Sequence, residues 1–135
     1  MRLREIYDSA LKFLAESSAV GDNEDYEERA PYLLASFCNQ AKATDAGLRR
    51  SLGITNSKGF NTVYIALDTE FPLLEQLATC GALYLAAMLV LDEDKELSDT
   101  LYDKYCDAIS SICSSICSVS EKIADKYFGY NWAEQ

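Results

Sequence analysis

The chain has 135 residues, an apolar fraction of 49%, a charged fraction of 25% and a net charge of −10. That length suits one domain, able to bury about two-thirds of the surface its unfolded chain exposes. The acidic balance argues against tight non-specific binding to nucleic acid, which needs Lys and Arg to neutralise phosphates, but leaves room for a surface past which nucleic acid slides. No basic amphipathic segment is present for anionic lipid. The charge is uneven: residues 1–46 carry nine acids and five bases, residues 47–91 three of each, and residues 92–135 ten acids and four bases. Two prolines and six glycines, set among long periodic segments, predict a mostly α fold. The N-terminal MRLREIYDSA is charged from the start, so no signal peptide is expected. Five cysteines without a secretory signal are expected to be free thiols in a reducing compartment, and their odd number leaves one unpaired in any fully bridged scheme.

Leu3, Ile6, Tyr7, Ala10, Leu11, Phe13 and Leu14 recur at three- and four-residue steps, which predicts an amphipathic helix over residues 2–17. Ser17, Ser18 and Gly21 end it. Asp22 or Asn23 caps the next helix, and Glu24, Asp25, Glu27 and Glu28 suit its positive N-terminal end. Its predicted buried face is Tyr26, Ala30, Leu33, Leu34, Phe37, Cys38 and Ala41. Pro31 removes a backbone donor and disfavours helical geometry at Ala30, so the helix either begins there or bends there. We favour a continuous, bent helix ending near Thr44. Residues 45–61, with three of the six glycines, read as a loop containing one short helical turn that sets Leu48 and Leu52 on the same side. This loop carries Arg49, Arg50 and Lys58 and no acid after Asp45. Residues 62–67, TVYIAL, are β-prone, with Val63, Ile65 and Leu67 on an apolar side. A lone strand needs a partner, from this chain or from a neighbouring copy.

Residues 73–91 read LLEQLATCGALYLAAMLVL, and after Gln76 the polar groups are only Thr79 and the Tyr84 hydroxyl. Leu, Ala and Met favour helix, and Pro72 fits a first helical position. A helix apolar all round is either a core helix or a membrane span. Glu75 and Gln76 in its first turn, a run shorter than the ~20 residues a bilayer needs, and a following Asp92-Glu93-Asp94 favour the core. Ala78, Ala82 and Ala86, beside Gly81, form a stripe that lets another helix approach closely. After the acidic break, Leu101, Tyr105, Ile109, Ile112, Ile116, Val119 and Ile123 form a near-heptad seam. This predicts a helix over residues 95–128, capped by Asp94, with room for a bend in residues 110–120. It is longer than the other helices can cover, so part of it is expected to project. Gly129 ends it and leaves an aromatic tail.

The motifs that carry chemistry are sparse. Cys106, Cys113 and Cys117 share a helix face, but without a histidine or a CxxC pair they read as core residues, and no metal is expected. Asp22 to Asp25 and Asp92 to Asp94 lack the spacing of a calcium loop and read as solvated helix starts. The chain has no histidine, no G-x-S-x-G, no phosphate loop and no dinucleotide fingerprint, so no enzyme and no cofactor is expected. Tyr127, Phe128, Tyr130 and Trp132 crowd aromatics into the chain's last residues, either folding back on the helices or anchoring a partner.

The order of elements is the most informative feature: LREIYDSALKFLAE, then DNEDYEERAPYLLASF, the arm NTVYIALDTEFPL, the helix LATCGALYLAAMLVLDED and a last helix with YDKYCDAI. Over residues 2–112 this order resembles small head–tail connector (neck adaptor) proteins of tailed bacteriophages and prophages. The serine- and cysteine-rich end of the last helix departs from that pattern. The resemblance implies a structural subunit without cofactor, found in the virion neck and in host cytoplasm before assembly. It implies a ring, commonly of twelve, beneath the portal, with portal and tail or neck proteins as partners and DNA in transient passage. By position, the contacts with neighbours fall to Arg49, Arg50, Tyr64, Ile65, Glu70 and Phe71, and to the tail with Tyr127, Phe128, Tyr130 and Trp132. The expected fold is a four-helix, bundle-like domain over residues 1–128 with a buried central apolar helix and one short extended or β arm, followed by the tail at 129–135. A regulatory or scaffolding helix bundle, and a small enzyme using carboxylates, remain as other classes.

Overall fold

The computed structural model describes residues 1–14, 23–54 and 62–124, with side chains for all of these except Asn23 and residues 117–124. Among them are α1 (Leu3–Phe13), α2 (Asn23–Ser51), α3 (Ala78–Val90) and α4 (Lys95–Ala124). A 3-10 turn, Glu75–Leu77, leads into α3, so Pro72 stands ahead of the helix and not at its first position. The fold is mostly helical and bundle-like.

The core is built round α3. Each residue from Cys80 to Ala87 is buried, and the helix packs against α1, α2 and α4. Gly81, beside the stripe of small residues, is where another helix approaches closely. A Cβ at Gly81 would lie 3.0 Å from Phe37 Cε2, so the glycine lets the α2 ring reach the α3 backbone. Phe37, Tyr84 and Tyr105 then cluster across three helices, with ring centroids 5.4 to 6.1 Å apart, Tyr105 edge to face with both others and the Phe37–Tyr84 pair tilted. Such pairs add roughly 0.5–1.5 kcal/mol each beyond the area they bury. Contacts fix the directions. Tyr26 meets Glu93, Phe37 meets Tyr105, Thr44 meets Cys113 and Gly47 meets Ile116, so α2 and α4 run the same way. Arg29 meets Leu89 and Asp45 meets Leu74, so α3 runs against them.

Several expectations are corrected. The second helix does not stop near Thr44; it continues through Asp45 and Gly47 to Ser51. Gly47 lies inside it because α4 approaches there: a Cβ would sit 3.1 Å from Ile116 Cγ2. The extra turns of α2 therefore pack on α4 at Ile116. The helix ends at Gly53, whose φ of 75° suits the left-handed cap, while the Gly53 and Ile54 N–H groups donate to the Arg50 and Arg49 carbonyls. Pro31 lies within the continuous helix, as favoured above. α1 is described over Leu3–Phe13, residues 15–17 of its expected span lying outside the described residues, and Phe13 is exposed, whereas Leu14 just beyond it is fully buried. Asp94 caps α4 as expected, its Oδ1 accepting the Leu97 N–H at 3.1 Å.

The arm, residues 62–71, is not a ladder strand; it holds one isolated bridge, Arg2 to Glu70. Its carbonyls go to a different partner. The first N–H groups of any helix lack intrahelical acceptors. Here the Leu3 N–H donates to the Thr69 carbonyl at 3.1 Å and the Arg4 N–H to the Leu67 carbonyl at 2.9 Å. The arm thus caps α1, and the Phe71 and Ile65 N–H groups donate in turn to the Met1 and Pro31 carbonyls. Only two of the three alternating apolar residues face inward: Ile65 and Leu67 are buried, while Val63 is 79% exposed.

Asp45 fixes the return from the arm to α3. It is nearly fully buried, takes the Leu74 N–H on Oδ1 at 2.8 Å and pairs through Oδ2 with Arg49 Nε at 2.8 Å. Arg49 Nη2 donates onward to the Pro72 carbonyl. Asp45→Ala should cost about 3 kcal/mol in chemical denaturation, because it leaves a half-buried guanidinium without its carboxylate. Asp45→Ala with Arg49→Met should recover part of that loss. Ala86→Asp should cost several kcal/mol by burying an uncompensated charge, whereas Thr79→Asp, on an exposed position, should not. Equal melting temperatures for the two aspartate variants would contradict the enclosed position of α3.

Candidate interaction surface

A cleft lies between α2 and the arm. It holds about 480 Å³ and is lined by Tyr32, Ser36, Asn39, Gln40 and Val63. Helical spacing explains the α2 side: Tyr32, Ser36, Asn39 and Gln40 recur at three- and four-residue steps, one face round from the buried Leu34, Phe37 and Cys38. The arm side is held by backbone bonds, so its side chains are presented on a fixed support. Asn39 Nδ2 donates to the Thr62 carbonyl at 2.8 Å, and Thr62 Oγ1 bonds both the N–H and the carbonyl of Tyr64.

At the rim stand Tyr32, Val63 and Tyr64, 55%, 79% and 48% exposed, with the two tyrosine rings edge to face at 5.1 Å. Gln40 Nε2 donates to Ser36 Oγ and to the Tyr84 hydroxyl, which joins the cleft to the core aromatic cluster. The lining carries no carboxylate, ammonium or guanidinium. Its chemistry is apolar contact and hydrogen bonding. A second groove of about 170 Å³ lies between α1 and α3, over Ala78 and Ala82.

The predicted contact residues fall in different places. Tyr64 is at the rim of the cleft, and Arg50 and Glu70 are exposed, Glu70 paired with the Met1 amine at 3.2 Å. Ile65 and Phe71 are buried, and Arg49 is spent on Asp45 and Pro72. Tyr127, Phe128, Tyr130 and Trp132 lie outside the described residues. Sequence reading missed Tyr32, Ser36, Asn39, Gln40 and the outward turn of Val63. One signal was present: Tyr32 is a large aromatic that falls off the buried face of its own helix.

No helix among the described residues is long and apolar enough to cross a membrane, and no group of three metal-ligating side chains is found among them. Cys38, Cys80, Cys106 and Cys113 are free thiols, Cys113 Sγ lying 3.6 Å from Thr44 Oγ1; the Cys117 side chain lies outside the described set. Compared with protein-family models, curated proteins and solved structures, the chain matches none.

Burial pushes the Cys38 thiol up to about 12, with the Asp45 carboxylate adding to it. Burial also pushes the Tyr105 phenol up to about 12 and raises Tyr26, whose hydroxyl donates to Glu93. These groups ionise more easily unfolded, near 9 for a thiol and 10 for a phenol. Folded-state stability is therefore retained below pH 9 and falls as pH rises from 9 to 12, where the unfolded chain loses protons first. Melting temperatures in reducing buffer should drop across that window, and Cys38→Ala should flatten the first part of the drop. A level profile to pH 12 would show that the buried thiol and phenols do not govern it.

Proposed function

We propose that this chain is a non-catalytic structural subunit of a tailed-bacteriophage or prophage head–tail connector, assembling as a ring on the portal for DNA passage and tail attachment. On this reading it occupies the virion neck, and host cytoplasm before assembly, and meets portal and tail or neck proteins. Two features support it. One is the resemblance in element order over residues 2–112, with the helical architecture it implies. The other, which carries the reading, is the arm: its backbone is tied to α1 and α2, yet Val63 and Tyr64 are turned outward beside Tyr32. Val63, 79% exposed, lies beside the Tyr32–Tyr64 ring pair, and an exposed apolar and aromatic patch of this kind suits contact with a partner. The net charge of −10 suits a wall past which DNA moves without sticking.

The tested residues follow from the arm's bonding. Proline at Ile65 would remove the bond to Pro31 and damage the monomer, so side-chain changes are the sharper probe. Val63→Asp with Tyr64→Ser should leave the circular dichroism spectrum unchanged and abolish rings on the purified portal in electron microscopy. Rings of normal occupancy from this double variant would overturn the assignment of the arm to assembly.

A further inference from the structure

The arm is held mainly by the start of α1. Val63, Tyr64, Ala66, Asp68, Thr69 and Glu70 are exposed, whereas Ile65, Leu67 and Phe71 are buried. Among the described residues, four backbone bonds tie residues 65–71 to the rest of the fold ahead of Pro72. Three of them end on residues 1, 3 and 4: the Leu3 N–H reaches the Thr69 carbonyl, the Arg4 N–H the Leu67 carbonyl, and the Phe71 N–H the Met1 carbonyl. The fourth, from the Ile65 N–H to the Pro31 carbonyl, is the longest at 3.3 Å. Arg4 adds a side-chain clamp. Its Nη2 lies 3.1 Å from Glu27 Oε1 on α2 and its Nε 3.8 Å from Asp68 Oδ1 on the arm, so one guanidinium joins three elements. The three side chains are open to solvent, at 45%, 51% and 83%. Exposed pairs of this kind are individually weak, and salt screens them. A segment with few buried side chains, fixed by a few bonds, opens at lower free energy than an enclosed core helix. We propose that the first turn of α1 is a salt-sensitive latch on the arm: when Leu3 and Arg4 let go, residues 65–71 leave the bundle surface as one unit while α3 and its packing stay intact.

Release is felt at the cleft. Asn39 holds the Thr62 carbonyl on one side of Val63 and Tyr64, and the bonds of residues 65–71 hold the other side. With the latch closed, both tethers act and the Tyr64 ring sits 5.1 Å from that of Tyr32. With the latch open, Val63 and Tyr64 keep only the tether at Thr62, and the ring pair loses its fixed geometry. The state of Arg4 and its two carboxylate partners therefore controls whether the outward face of the arm is presented. That control rests on the reading of Val63 and Tyr64 as a contact surface.

Amide hydrogen exchange on the full chain, followed by NMR, tests the latch without a portal. The Ile65 and Phe71 amides should share one opening free energy, below that of the fully buried Leu85 in α3. Raising the salt from about 0.01 M to about 1 M should lower the protection of both by about threefold. Arg4→Gln keeps the N–H given to Leu67 and removes only the charge. It should lower both by a similar factor and abolish the salt response. Arg4→Pro also removes that N–H, at a first-turn position that tolerates proline, and should lower both by about tenfold or more with unchanged circular dichroism. Leu85 should keep its protection throughout. Protection at Ile65 and Phe71 that neither salt nor Arg4→Gln lowers overturns the latch, as does an equal loss at Leu85, which makes the opening global. Unchanged exchange leaves the connector reading standing, whereas missing portal rings tell against that reading and leave the latch standing.

Discussion

A helix with no polar side has to be enclosed on every side, and α3 sets that requirement for the whole protein. α1 packs along one side of it, α2 brings Phe37 onto Gly81, and α4 supplies Tyr105 beside Tyr84. Enclosure alone would let the helix slide, because apolar contact has no direction. Polar groups at its two ends set its position. Asp45 holds Leu74 at the start. At the other end Arg29 donates to the Leu89 carbonyl, the buried Ser98 hydroxyl to the Ala87 carbonyl, and Tyr26 to Glu93. The backbone acceptors left over at a helix end are where such side chains find most to satisfy.

The arm meets a second need with the same economy. α1 has donors without acceptors in its first turn, and residues 66–69 have carbonyls that no ladder takes up. Pairing the two explains why a segment of high β propensity adopts an irregular path. Thr69 and Leu67 give their carbonyls to Leu3 and Arg4, and Asp68 lies 3.8 Å from the Arg4 side chain. The consequence is felt at the other end of the arm. With the path fixed by Pro31 and Asn39, Val63 and Tyr64 turn outward and complete the cleft with α2.

Among the described residues, that cleft is one uncharged stretch of the surface of an acidic chain. It combines a rigid support, exposed aromatic and β-branched side chains, and hydrogen-bonding groups without charge. Those are properties of a docking face, where large apolar anchors carry the energy and neutral polar groups set orientation.

The sequence by itself determined the helices that a simple period can report. The core helix within 73–91, the α1 stripe apart from Phe13, the Asp94 cap and the buried face from Tyr26 to Ala41 were legible, because local composition and spacing dictate which side chains share a face. Only the tertiary structure decided the rest. Asp45 and Gly47 look like a helix ending, since aspartate and glycine are poor in helix interiors. They continue the helix because Leu74 and Arg49 occupy the carboxylate and Ile116 occupies the space where a side chain would be. Alternation likewise put Val63 with Ile65 and Leu67. It turns outward because the bonds that set the arm's path come from α1 and α2, distant in sequence and invisible to any local pattern.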